Sequence, residues 1–209
     1  MGSRPHRRLA PALTEFAFAD RRAAPRKQPA QGRAKGTVTA ILGATLQVLE
    51  DAGLAGVTTT RVAGVAGVSV GTLYQYFPNR DALVTALLAD HLEHAIGALE
   101  GAVAAGAGIE GAVRAFLAAK AARAHAARVM SQAFAVDRLD DRPIVRAAYA
   151  RAHAAVSQLL PGAPAERARR ATLACSALEG IVRSAILEDP ERLRDDDWVA
   201  RVVQIARAF

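Results

Sequence analysis

The sequence predicts an all-α chain: a small three-helix head joined by a long helix to a larger helical body. Three observations lead there. Apolar residues recur every three or four positions along most of the chain, the period of one helix face. No stretch alternates convincingly at period two, so no strand is expected. The interruptions are clusters of Gly, Pro and Asp, spaced to leave helices between them. With 209 residues, 52% apolar and 22% charged, the chain can bury one sizeable core plus a small module, which excludes wholesale disorder.

Residues 1–36 are rich in Pro, Arg, Gln and Ala. Pro5, Pro11, Pro25 and Pro29 break any long helix, so a flexible basic arm is expected, with room for a short helix over 13–22. From residue 37, Val38, Ile41, Leu42, Thr45, Leu46 and Leu49 mark a first helix that Gly53 stops. Thr59 is placed to cap a second, short helix over 60–66, with Val62, Ala63 and Ala66 inward. Gly67 makes a turn. Ser69 caps a third helix over 70–76, with Leu73 and Phe77 inward. Pro78 ends it, and Asn79 caps a fourth with the stripe Ala82, Leu83, Ala86 and Leu87. Gly106 and Gly108 precede a fifth helix over 110–124. Others are predicted over 126–137, 143–160, 165–187 and 195–208, with Pro143 suited to a first helical position. The organisation is therefore an arm (1–36), a head (37–90) and a body (91–209).

Function is concentrated in residues 58–80, TTTRVAGVAGVSVGTLYQYFPNR. Two short capped helices joined by a glycine turn make a helix-turn-helix, whose second helix fits a DNA major groove. Its outer side is read as Val70, Gly71, Thr72, Tyr74, Gln75 and Tyr76. Tyrosine hydroxyls reach phosphates, Gly71 permits close approach, Thr72 offers a methyl to thymine and Gln75 pairs with adenine. The helix N-termini at Thr60 and Val70 point N–H groups at phosphates, and Thr59 and Arg80 add contacts. Residues 74 and 76 are about 200° apart on a helix, so both cannot face one core.

Charge supports a polyanion partner. Residues 1–36 hold nine basic side chains against Glu15 and Asp20, whereas the remainder balances 18 basic against 18 acidic groups. Residues 37–90 sum to −2, so affinity is expected to lean on helix termini, hydroxyls and the arm. The alternative for the arm is a solvated tail.

This stretch resembles the TetR family of bacterial transcriptional regulators. The resemblance is carried by Ile41-Leu42 through Gly53, by Thr59-Thr60-Arg61-Val62-Ala63, by Ala66 through Phe77 including Ser69, and by Asp81-Ala82-Leu83. It departs from the family at Arg80, where Lys is frequent, and in its long arm. The resemblance implies a homodimer on a palindromic double-stranded DNA operator, dimerisation through about 165–187 and 195–209, and a pocket within about 91–190 for a small-molecule effector. The stripes Trp198, Val202, Ile205, Phe209 and Leu173, Ala177, Gly180, Ile181, Ser184 fit a dimer face, or alternatively intrachain core.

Other motifs carry less. Gly106-Ala107-Gly108-Ile109-Glu110-Gly111 fits a dinucleotide fingerprint literally, but a helix precedes it and no acidic residue follows at the needed distance. His91 and His94 share a helix face without an obvious further metal ligand. Ser131, Ser157, Ser176 and Ser184 have no nucleophile context. Cys175 reads as an inert core thiol that suits a reducing cytoplasm. No signal peptide, no membrane span, no cofactor and no enzymatic activity are expected. Phe116, Met130, Phe134, Tyr149, His153 and Leu178 are candidate pocket residues that serve equally as core, so none is assigned. The expectation is a cytoplasmic, nucleoid-associated repressor released from its operator by a small apolar ligand. The rivals are an architectural DNA-binding protein using the arm, and an enzyme built in the body.

Overall fold

The computed structural model describes residues 32–134 and 142–209. Among them are nine α-helices, one short 3-10 helix and no strand. In chain order they are α1 (Gly32–Gly56), α2 (Thr59–Val65), α3 (Val70–Tyr76), α4 (Arg80–Ala104), α5 (Gly108–Ala122), α6 (Ala124–Ala133), α7 (Pro143–Ser157), α8 (Pro164–Glu188), the 3-10 turn Pro190–Arg194 and α9 (Asp196–Arg207). The all-α expectation holds. The short helix over 13–22, nearly all of the arm and the expected end of α6 at 137 lie outside the described residues.

Boundaries follow local chemistry. α1 starts at Gly32, before the expected 37, because no proline follows Pro29 until Pro78. Gly53 breaks it where expected (φ 62, ψ −175), and the chain then adds a further turn to Gly56. The second helix is capped by Thr58 rather than Thr59: its side chain accepts from Arg61 N at 3.2 Å. Ser69 and Asn79 cap α3 and α4 as expected, accepting from Thr72 N (3.0 Å) and Ala82 N (2.8 Å). Pro143 opens α7, and Gly106 and Gly108 take φ 72 and 64 in an ordinary interhelical loop.

The head packs around large apolar side chains. Ile41, Val48, Val57, Val62, Leu73, Phe77 and Leu83 are all 1% exposed or less. Each contributes about 1.5–3 kcal/mol by leaving water. Thr45 is buried among them, its hydroxyl satisfied by donating to Ile41 O at 2.7 Å. α4 and residues 34–56 of α1 have the length and mean hydropathy (1.2 and 1.3) of bilayer-crossing helices, which the sequence reading did not expect. Both turn apolar faces into the head's core instead.

α4 carries the chain from head to body. Leu83, Leu87 and Leu88 belong to the head cluster, while Ile96 and Leu99 pack on Ala148, Ala152 and Ala155 of α7. Arg151 of α7 clamps this outer half through Glu93 (2.7 Å) and Glu100. A second cluster joins α5, α8 and α9 through Leu117, Val182, Ile186, Val199 and Val202. α6 returns to the head, where Val129, Met130 and Phe134 enter its core. Arg123 is the single residue between α5 and α6, capping the end of one and the start of the other, and its Nη1 donates to Asp90 Oδ2 (2.6 Å) and Asp90 O (3.1 Å) on α4.

Candidate nucleic-acid interface

The turn between α2 and α3 is built by three backbone decisions. Gly67 takes φ 67, a left-handed value that disfavours any residue with a Cβ. Val68 N closes the turn on Ala63 O at 3.0 Å. Ser69 then opens α3, its Oγ also 2.8 Å from Thr72 Oγ1. Val62 and Ala63 anchor α2 from beneath, and Leu73, Tyr76 and Phe77 anchor α3.

What remains outside is a compact polar face. Thr60, Arg61, Ser69, Gly71, Tyr74, Gln75 and Arg80 are exposed, and Thr59, Val70 and Thr72 are half-buried. Tyr74 is 41% exposed, and its hydroxyl lies 3.1 Å from Thr59 Oγ1, tying α3 to the first turn of α2. Gly71 has helical backbone, and a Cβ added there would meet only Ser69 Oγ at 3.8 Å. The fold therefore does not require glycine at 71.

Two expectations change. Tyr76, placed on the outer side by the sequence reading, is 7% exposed and belongs to the head's core. It follows Leu73 by three positions, so the two share a helix face. The two tyrosines do diverge, but one of them points inward. Arg80 was expected as a phosphate contact; it remains at the surface, but its Nη2 donates to Leu54 O at 2.6 Å, fastening α4 to the end of α1.

In the body, α4, α5, α7, α8 and α9 surround an apolar cavity of about 70 Å³, partly open to solvent. Phe116, Tyr149 and Leu178 line it, as three of the six sequence candidates. Met130 and Phe134 instead fill the head's core, and His153 is not among the lining residues. Sequence reasoning missed the charged pair in the wall, Lys120 and Glu179, because their 59-residue separation hides the contact. Burial and nearby Glu179 push the Cys175 thiol up to about 11, so it stays protonated in this wall. Burial, together with Lys120 and Arg123, pushes His91 down to about 3. Among the described residues no group of three or more His, Cys, Asp or Glu gathers in metal-binding fashion.

On α8, Leu173 is 62% exposed, with Gly180 and Ser184 also at the surface; on α9, Ile205 is 42% exposed. Val202 departs from its expected stripe, because it faces the body's own core at 2% exposure.

A capped helix-turn-helix with a bare, polar outer helix, set on an all-helical body, defines a DNA-binding transcriptional regulator. Residues 41–87 match the family model described as bacterial regulatory proteins, tetR family. Solved structures share the whole architecture. A transcriptional regulator from Rhodococcus sp. Rha1 is 27% identical, with 80% of this chain and 96% of that one covered and a TM-score of 0.59. The TetR family repressor AlkX from Dietzia sp., implicated in biodegradation of n-alkanes, is 23% identical over 88% and 97%, with a TM-score of 0.53. A transcriptional regulator from Pseudomonas aeruginosa is 19% identical over 88% and 96%, with a TM-score of 0.61. No curated protein matches the chain. Over residues 41–87 the chain is similar to the tetR family of bacterial regulatory proteins, and beyond them it shares the all-helical fold of these solved regulators.

Proposed function

We propose that the chain is an effector-released repressor that binds a palindromic operator as a homodimer. The observation that carries this is Gly71: a glycine the fold does not need, at the exposed N-terminal turn of α3. A backbone without a side chain there lets α3 sink into a major groove, with Tyr74, Gln75, Thr72 and Val70 beside it. Thr59, Thr60, Arg61 and Ser69 flank it toward the phosphates, and Arg80 does so with donors left over from Leu54. Tyr76 then acts through the core, by setting the attitude of α3.

Leu173, Gly180 and Ser184 on α8 and Ile205 on α9 support pairing of two copies through 165–187 and 195–209. Such a pair serves a palindrome when its two α3 helices sit about 34–36 Å apart. The cavity under α4 supports an effector site: α4 has one end in the head and the other in the cavity wall. The fit is to a largely apolar ligand, acting in the cytoplasm on nucleoid DNA. The basic residues of 1–36 add sequence-independent phosphate contacts.

The test is binding to the DNA flanking its own gene, followed by gel shift with sedimentation of the free protein. The expected result is a free dimer that occupies two half-sites. Gly71→Ala should raise folding stability by roughly 0.5–1 kcal/mol, since Ala is the better helix former. The same change should weaken operator binding tenfold or more, on the order of 1–3 kcal/mol. Tyr74→Ala should weaken it comparably. Undiminished binding by both variants, or a monomer that binds equally well, overturns the proposal.

A further inference from the structure

Apart from Tyr149 and Cys175, the cavity wall is apolar but for one ion pair of unequal members. Lys120 of α5 is 6% exposed, and its Nζ donates to Glu179 Oε1 of α8 at 3.2 Å. The same Nζ stands 5.3 Å from the centroid of the Phe116 ring. Both charged residues line the cavity. Their side chains differ in solvent: Lys120 keeps 8% of its surface, Glu179 keeps 33%. The carboxylate is thus shared between lysine and water. The ammonium has three donors, one carboxylate partner and an aromatic face. A desolvated cation must keep an anion beside it, and a carboxylate that is a third exposed is readily exchanged for another.

The surroundings have the same sign. Arg123 and Lys120 both bear on His91, whose imidazole is neutral and whose Nδ1 is buried without a hydrogen-bond partner. Asp90 answers Arg123 at 2.6 Å, which leaves Lys120 as the cation facing the cavity.

We infer that the cavity takes an amphipathic monoanion, its apolar body against Leu92, Ile96, Val113 and Leu178 and its anionic head, a carboxylate in the simplest case, at Lys120. This rests on the reading of the cavity as the effector site. A cationic head is disfavoured because it would meet the Lys120 ammonium over the same ring. An uncharged chain gains burial alone. Two carboxylates on one ammonium in a dry site are costly, so the ligand's head takes Lys120 and Glu179 turns to water, where a third of it already lies. The bridge between α5 and α8 is thereby opened.

The test is calorimetric titration of the full chain with decanoate, decanol and decylammonium. Decanoate should bind on the order of tenfold more tightly than decanol. Lys120→Met should erase that preference while decanol affinity holds within about twofold, and Glu179→Gln should strengthen decanoate by removing its competitor. If Lys120→Met does not fold, the wild type and Glu179→Gln still decide. Equal binding of decanoate and decanol, tighter binding of decylammonium, or a preference that survives Lys120→Met overturns the anion site and leaves the effector cavity standing. Binding of none of the three overturns both.

Discussion

Head and body are both helical, yet they are stabilised by different means. The head sets the short α2 and α3 between the long α1 and α4; Thr58, Ser69 and Asn79 fix helix starts, and Phe77, Ile41, Leu73 and Leu83 fill the centre. Large side chains interdigitate and leave a solid core. The body's helices meet through alanine: Ala112, Ala148, Ala152, Ala155 and Ala174 are all 8% exposed or less. Alanine lets helices approach but fills little volume, and the shortfall gathers into the cavity. The head is therefore built to hold one shape against a groove, and the body to hold space.

The contrast can be broken by mutation. The largest effect is expected in the head: Leu73→Ala should cost about 2–5 kcal/mol in urea unfolding, because a closed core cannot collapse into the void. A cost under about 1 kcal/mol would mean that the head is as loosely filled as the body.

Next in size is a pH effect in the body. Burial and the cations Lys120 and Arg123 lower His91 from its ordinary 6.5 to about 3, while His94 beside it is lowered as well. The unfolded chain therefore takes up a proton below about 6.5 that the folded chain refuses. His91's contribution is fully retained above that value and falls away as the pH drops toward 3. By pH 4.5 the loss should reach roughly 2–3 kcal/mol. Thermal unfolding across this window should show it, and His91→Leu should flatten the slope. An unchanged slope would mean that His91 is solvated.

The smallest effect on stability, and the most telling on function, is filling the cavity. Ala152→Leu should shift unfolding by less than about 1.5 kcal/mol in either direction, since there is room for the added carbons. It should leave operator binding intact and remove the effector response. A loss of operator binding with the effector absent would show that the cavity serves the head's structure as well.

Much of the head was legible because its signals are local. Ser69, Asn79 and Gly67 each act on residues within four positions, so the sequence alone placed them. Tyr76 was misread because attention to the tyrosine pair hid its three-residue spacing from Leu73. Which of three consecutive threonines caps α2 is a difference of one residue that propensity does not resolve. In the body, helix positions were legible from Pro and Gly, but lateral contacts were not. Met130 and Phe134 looked like pocket residues until the return of α6 to the head placed them in its core. The burial of Lys120 was not legible, because Glu179, which makes it tolerable together with the Phe116 ring, lies on α8, far along the chain.

One junction ties the two regions together. Because only Arg123 separates α5 from α6, no long segment lies between the cavity wall and the trio Val129, Met130 and Phe134 wedged among the head's side chains. Under the proposed effector mechanism, the shaft of α4 and the junction at Arg123 would both carry strain from cavity to head, and severing either one alone should blunt the response without abolishing it.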